Sequence, residues 1–363
     1  MRRVGEGQMD DLAVGAAVLG AGGGGNPYLG ALLAKLEIRE HGPVELVTVD
    51  EVGDDALVVA TAGMGAPTVG IEKLPRGDEH VRALRALESY LGRPATHTVS
   101  IEAGGSNSTV PLRVAAQLGI PVVDADGMGR AFPEIQMVTA TLYGISATPM
   151  ALADEKGNTA VIDTIDNHWA ERLSRSITID MGAVAKIALY PMSGRQLAQA
   201  MIPGTITLAE QLGRLIRQTR AGHGDPIAAI LGRLDGYRLF DGKISDVQRA
   251  TETGFARGHA RIEGTGPDTG SALAIRFQNE HLVAFRDGEV VASVPDLIIV
   301  LDAETGAPIT TEQLRYGLRV TVTAAPCDLR WRTSQGLALV GPRAFGYDLD
   351  YTPVEQRFGA TTA

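Results

Sequence analysis

Apolar positions along the chain alternate between two periods. From Glu79 to Leu91, Val81, Leu84, Leu87 and Leu91 recur at three- and four-residue spacing, which marks one face of a helix, and Gly92 supplies its stop. Val44–Val49, Ala56–Ala62, Thr96–Ile101 and Ile120–Val123 are apolar runs of strand length that end in polar or glycine-rich turns. Val110–Leu118 reads as a helix between the last two runs, so Thr96–Val123 forms a strand–loop–helix–strand unit. Such alternation predicts a mainly parallel sheet with helices on its faces, and it places ligands in the loops beyond the strands' C-terminal ends. The loops Glu102–Asn107 and Asp124–Gly129 fall there.

Further helices are expected at Asp10–Leu19, Leu29–Leu36 and Phe132–Met137, and strands at Ala147–Asp154 and Thr159–Asp163. Asn167–Met201 reads as mainly helical, interrupted by Pro191 and Gly194, and Ile206–Arg217 as another helix. From Tyr237 the texture changes to short β-runs between Gly, Asp and Pro turns: Arg257–Glu263, Ala272–Asn279, His281–Arg286, Glu289–Val294, Leu297–Asp302 and Leu318–Ala324. The expected architecture is therefore an α/β domain over residues 1–170 that carries the glycine-rich and acidic loops. Over 171–363 it is followed by a helical bridge and a β-rich barrel or sandwich.

Composition narrows the function classes. Hydrophobic residues at 44% and charged residues at 21% of 363 suit a chain with a sizeable core, and no apolar run approaches the ~20 residues of a bilayer span. A net charge of −10 argues against nucleic acid, whose phosphates need a clustered basic surface. The N-terminal residues lack the apolar segment of a secretory signal, so a cytoplasmic location is expected. One cysteine, Cys327, excludes an internal disulfide and a structural zinc site of the cysteine type. Glycine is in excess, 44 residues where roughly 7% of the chain is usual, which implies many close backbone approaches. A homo-oligomer is expected from chain length alone.

Several segments carry candidate chemistry. Gly20–Tyr28 (GAGGGGNPY) exposes backbone N–H groups ahead of a helix, so Gly23, Gly24 and Asn26 are candidate ligand contacts. It fits the dinucleotide fingerprint poorly because the preceding segment is helical, and no nucleotide is expected; a plain packing role for the glycines is the alternative. Glu102-Ala-Gly-Gly-Ser-Asn-Ser108 offers a carboxylate, hydroxyls and an amide, suited to a small polar heterocycle through Glu102, Ser106 and Asn107, or else a helix-capping turn. Asp124 and Asp126 are carboxylates two residues apart that can share a proton, hold a hard divalent cation, or merely bond their own turn. His168, flanked by Asp166 and Glu171, is a candidate further metal ligand, although no pair of histidines has metal-binding spacing. Cys327 is a candidate nucleophile if its thiolate is stabilised, and Arg343 in a Gly/Pro-rich turn a candidate carboxylate clamp.

Taken together, LGAGGGGNPYLG, EAGGSNS, DADGMGRAFPE and WRTSQGLALVGPRAFGYD, in that order, resemble the S-methyl-thiohydantoin desulfurase family, which is associated with hydantoinase and oxoprolinase groups. The resemblance runs from about Asp10 to Glu355. It implies an N-terminal α/β and a C-terminal β-rich domain, and hydrolytic loss of methanethiol from C2 of an imidazolone-type ring to give a hydantoin. On that reading Asp124 or Asp126 serves as base or metal ligand, Glu102 and Asn107 take the ring edge, and Arg343 takes a substrate carboxylate. A divalent ion, if used, would sit at Asp124, Asp126 and His168. The alternatives are a hydantoinase-like hydrolase that cleaves a cyclic amide, or a non-catalytic small-molecule-binding subunit of a hydantoinase-type complex.

Overall fold

The computed structural model describes residues 1–65, 69, 73, 76–252 and 255–358. In the N-terminal half the strands β1 (Arg2–Val4), β2 (Val44–Val47), β3 (Leu57–Gly65), β4 (His97–Ser100), β5 (Val122–Val123), β6 (Met150–Ala153), β7 (Thr159–Ile162) and β8 (Val184–Ser193) form one sheet in the order β1-β2-β5-β4-β3-β8-β6-β7. The inner group β2, β5, β4 and β3 is parallel and the flanking strands are antiparallel. Every residue from Leu57 to Ala62 in β3 is buried, as expected of a strand covered on both faces. Helices α1 (Met9–Leu19), α2 (Pro27–His41), α3 (Glu79–Leu91) and α4 (Val110–Leu118) supply the covering layers. Gly92 and Gly119 close α3 and α4 in the left-handed conformation that their lack of a Cβ permits.

The C-terminal half is antiparallel. Strands β9 (Tyr237–Glu252), β10 (Phe255–Gly264), β11 (Ala272–Gln278), β12 (Glu280–Arg286), β13 (Glu289–Ser293), β14 (Leu297–Asp302) and β15 (Arg319–Ala325) run in the order β13-β12-β11-β10-β9-β15-β14. The sheet curls into a half-barrel, so that β12 and β14 touch although other strands separate them in that order. Its concave core holds Phe240, Ile244, Ile262, Ile275 and Val322. The expected combination of an α/β domain and a β-rich domain is thus present.

One predicted helix is absent and another is divided by a strand. Asn167–Met201 is helical at both ends, α5 (Asn167–Asp180) and Gly194–Ala200, but α5 is followed by Gly182 and Ala183, both at positive φ, and the chain then enters β8 beside β3. The run Val184–Met192 is apolar enough to suit either period, and its pairing with β3 decides the matter. Phe132–Met137 is turn rather than helix. Pro133 disfavours helical backbone at Phe132, and tertiary bonds replace the helical ones: Ile135 donates its N–H to Glu171 (3.0 Å) and accepts from the Tyr190 hydroxyl (2.9 Å).

Arg130 joins the halves. Fully buried, it donates from Nε to Ala131 O (3.0 Å), from Nη1 to Pro295 O (3.1 Å) and Asp296 O (2.7 Å), and from Nη2 to His281 O (3.2 Å). Trp331 adds a second tie, its indole N–H on Met128 O (2.8 Å) and its ring edge-on to Phe132 at 5.3 Å. Arg130→Met would leave these carbonyls unpaired in a dry interface. It is expected to cost about 3 kcal/mol or more in equilibrium urea unfolding, and an unfolding free energy within 1 kcal/mol of the parent would contradict this account.

Candidate active site at the junction of the two halves

A cavity of about 450 Å³ lies where the β4–α4 turn, the glycine loop and the β11–β12 turn meet. The glycine loop is strapped on both sides: Ser106 donates its N–H to Gly24 O, His281 to Ala21 O and Thr311 to Gly22 O, each at 2.8 Å. A Cβ on Gly23 would stand 2.0 Å from a Glu280 carboxylate oxygen. One on Gly24, at φ +80°, would stand 2.5 Å from Gly104 O. Glycine is required there to let three backbones converge, and the same convergence leaves Gly24, Gly25 and Asn26 on the cavity wall. The Asn26 side chain itself accepts from Tyr28 N (3.0 Å) and Leu29 N (3.2 Å), capping α2.

Glu102, 5% exposed, accepts from Asn107 Nδ2 at 2.6 Å. Asn107 is held in turn by Gly63, whose N–H it accepts at 2.7 Å and whose carbonyl it reaches at 3.3 Å. Glu102, Ser106 and Asn107 therefore line one end of the cavity together with Asn279 and Glu280 of the other half. Burial, and then the neighbouring Glu280 charge, holds the Glu102 carboxyl well above the usual range. Glu280 is pushed up to about 8 by burial, against the pull of Arg130. One Glu280 oxygen, Oε2, is buried without a hydrogen-bond partner. Two buried carboxyl groups of raised proton affinity thus line the same cavity, Glu280 raising Glu102 and Glu312 adding to the shift of Glu280.

The far end carries cations together with acids, Glu79, Asp154 and Glu155 among them. Lys186 on β8 and Arg113 on α4 line it, with His80 on α3 and Lys73. Lys186 Nζ and Asn107 Oδ1 each lie 3.7 Å from the point that a Gly63 Cβ would occupy, so one small ring can touch both. His80 is 2% exposed and neither ring nitrogen has a partner; burial, then Arg113 and Lys186, holds it well below the usual imidazole range and so neutral. Burial also lowers Lys186 and Arg113. No carboxylate lies within ion-pair distance of Lys186 or Arg113 among the described residues, whereas Lys73 is paired with Glu155 at 3.0 Å.

Other sequence candidates lie elsewhere. Asp124 does not face the cavity: it accepts from Ile206 N and Thr207 N, both at 3.0 Å, at the start of the helix Thr205–Ala221, so it caps a helix rather than acting as a base. Asp126 is fully buried behind the wall, accepting from Ala103 N (2.7 Å), Met128 N (2.9 Å) and Gly129 N (2.8 Å). Burial pushes it up to about 7, and it fixes the peptide that follows Glu102. His168 is exposed on α5, so Asp124, Asp126 and His168 do not converge on an ion. Cys327 is buried away from the cavity, its thiol pushed up to about 12 by burial and Asp296, which suits an inert core sulfur. Arg343 is on the surface, bonded to Asp348 (2.6 Å) and Asp350 (3.1 Å).

Glu280, Lys186, Arg113 and His80 were not singled out from the sequence. Lys186 alone interrupts the apolar run Val184–Met192, and His80 shares the α3 face of Ala83, Leu84 and Leu87. Both are polar side chains at core positions, which is the readable signal for them. Glu280 carries no such signal, because its position beside Glu102 arises from docking of the halves.

The pattern described as the S-Me-THD-like N-terminal domain matches residues 7–164, and that of the S-Me-THD-like C-terminal domain matches residues 165–354. The chain is also similar to a crystal structure of a protein from Chromobacterium violaceum, a structural-genomics target, with a TM-score of 0.82 and 27% identity over 98% of this chain and 100% of that one. No curated protein matches.

Glu280 ties stability to pH. Its folded-state proton affinity, near 8, lies above the ordinary 4.5, so the stability lent by that proton is complete below about pH 4.5 and is lost as pH rises through about 8. Glu280→Gln removes this loss. It is expected to raise the melting temperature by several degrees at pH 9 and to change it little at pH 5; a pH-independent shift would rule out a buried, proton-binding Glu280.

Proposed function

The chain belongs to the S-Me-THD-like family, and from that premise we propose that it hydrolyses an S-methylated thiohydantoin at C2, releasing methanethiol and leaving a hydantoin. The observation that carries this reading is the pair Glu102–Glu280, two buried carboxyl groups of raised proton affinity in a cavity that Lys186 and Arg113 also line.

An S-methylated ring carbon is amidine-like and a poor electrophile until its ring nitrogen is protonated. Glu102, with no cation bonded to it, keeps its proton and donates it to that nitrogen. Glu280, next to Arg130, is the carboxyl group that ionises first, and it takes a proton from the attacking water. Water oxygen bonds to C2, the C2–S bond then breaks with its electron pair on sulfur, and the proton taken by Glu280 passes to the departing methanethiolate. C2 becomes a carbonyl as its hydroxyl proton returns to Glu102, and the ring nitrogen keeps the proton that Glu102 gave it, so both carboxyl groups are restored and the balance is one water consumed and one thiol released. Asn107 presents its amide between Glu102 and the ring. Lys186 and Arg113 supply the positive counterpart for a carboxylate on the ring substituent, the part first assigned to Arg343. The same residues suit water attack far better than a thiol nucleophile, since Cys327 lies outside the cavity.

Incubation with an S-methylated thiohydantoin that bears a carboxylate side chain is expected to yield one free thiol per hydantoin. A ring-opened ureido product would overturn the assignment in favour of cyclic-amide cleavage. Because Glu280 must be ionised to accept a proton, kcat/KM is expected to climb as pH rises through about 8. Glu280→Gln should lower kcat by at least ~100-fold and abolish that dependence. Arg113→Met should raise KM roughly tenfold, with kcat changed far less; an unchanged KM would remove Arg113 from substrate binding.

A further inference from the structure

A second concavity, of about 610 Å³, opens on the outer face of the C-terminal sheet, away from the cavity described above. Along β10 the side chains of Arg257, His259 and Arg261 point outward while Ala260 and Ile262 point into the core. The register with β11 sets Arg276 directly opposite His259. Among the described residues no carboxylate lies within ion-pair distance of Arg257, Arg261 or Arg276; Asp246, opposite Arg261, is instead bonded by Gln248 at 3.1 Å. The Arg276 guanidinium lies over the Phe285 ring at 5.5 Å. The wall is completed by Phe345 and Tyr347 from the C-terminal segment, and the Tyr347 phenol, raised by burial, feels the opposing charges of Arg276 and Arg257. On a chain of net charge −10, this concentration of guanidinium groups in one groove is a local reversal of sign.

We propose that this groove binds a small phosphate-type polyanion, seated on Arg257, Arg276 and Arg261. Guanidinium forks match phosphate oxygens bidentately, and a ligand with two linked phosphoryl groups reaches along the strand from one arginine to the next. A ligand seated there rests against Gln278, while the next residues, Asn279 and Glu280, line the cavity at the junction. The end of β11 thus borders the groove, and the residues that follow it border the junction cavity. The inference stands on the groove alone and does not depend on the reaction assigned above.

Isothermal titration of the full chain with inorganic pyrophosphate, and separately with inorganic phosphate, at constant ionic strength tests it. One saturable site is expected, with pyrophosphate tighter than phosphate and with affinity falling as salt rises. The double variant Arg257→Gln/Arg276→Gln should weaken pyrophosphate at least tenfold, while Arg195→Gln, a surface arginine paired with Asp54 far from the groove, should not. Should the double variant fail to fold, Arg261→Gln alone carries the same test with a smaller loss. Absence of saturable binding, equal affinity in the groove variants, or an equal loss with Arg195→Gln would each overturn the proposal.

Discussion

A buried guanidinium without a bonded carboxylate is the constraint on which this molecule turns. Arg130 spends its donors on main-chain carbonyls from both halves, so its charge is solvated by peptide dipoles instead of water or an acid. Burial lowers its proton affinity to about 10, and Glu280 is the first of the acids that oppose this. The coupling runs both ways: Arg130 makes Glu280 ionisable in a space where it would otherwise stay neutral. A single side chain thus holds the halves in register and sets the acid–base character of the cavity between them. Replacing it with an apolar residue of similar volume could preserve packing, yet the carboxyl pair would lose its asymmetry.

Around that constraint, the glycine loop acts as a spacer of minimal thickness. It lets the Glu102 turn and the Glu280 turn approach from opposite sides, and both carboxyl groups lose their water as a result. The cavity's polarity follows from topology. The parallel strand β4 delivers Glu102 and Asn107 at its C-terminal end, the usual position for ligand loops in such sheets. The antiparallel β8, adjoining β3, delivers Lys186 across from them.

Much of the framework is legible in the sequence because burial there is local and periodic. The helix Val110–Leu118 and the strand Leu297–Asp302 have the bounds that their apolar spacing predicts, and the switch to β-runs after Tyr237 marks the second sheet. The acidic loop shows where that logic stops. Asp-x-Asp-Gly reads the same whether its carboxylates face a ligand, cap a helix that follows much later, or brace a turn, and here Asp124 and Asp126 do the last two. Glu102, Ser106 and Asn107 were readable because one short turn carries several polar groups at a strand end. Glu280 was not, since its neighbour across the interface is distant in sequence. Lys186 fell within a segment whose apolar run fits either period, and taking it for helix hid its place on a strand.

The Glu102–Glu280 pair belongs to neither half by itself. A chain with only its first sheet would keep the Glu102–Asn107 bond but lack the Glu280 charge that raises the Glu102 carboxyl. The centre is therefore a property of the assembled molecule: neither sheet, taken alone, supplies both acids of the cavity wall.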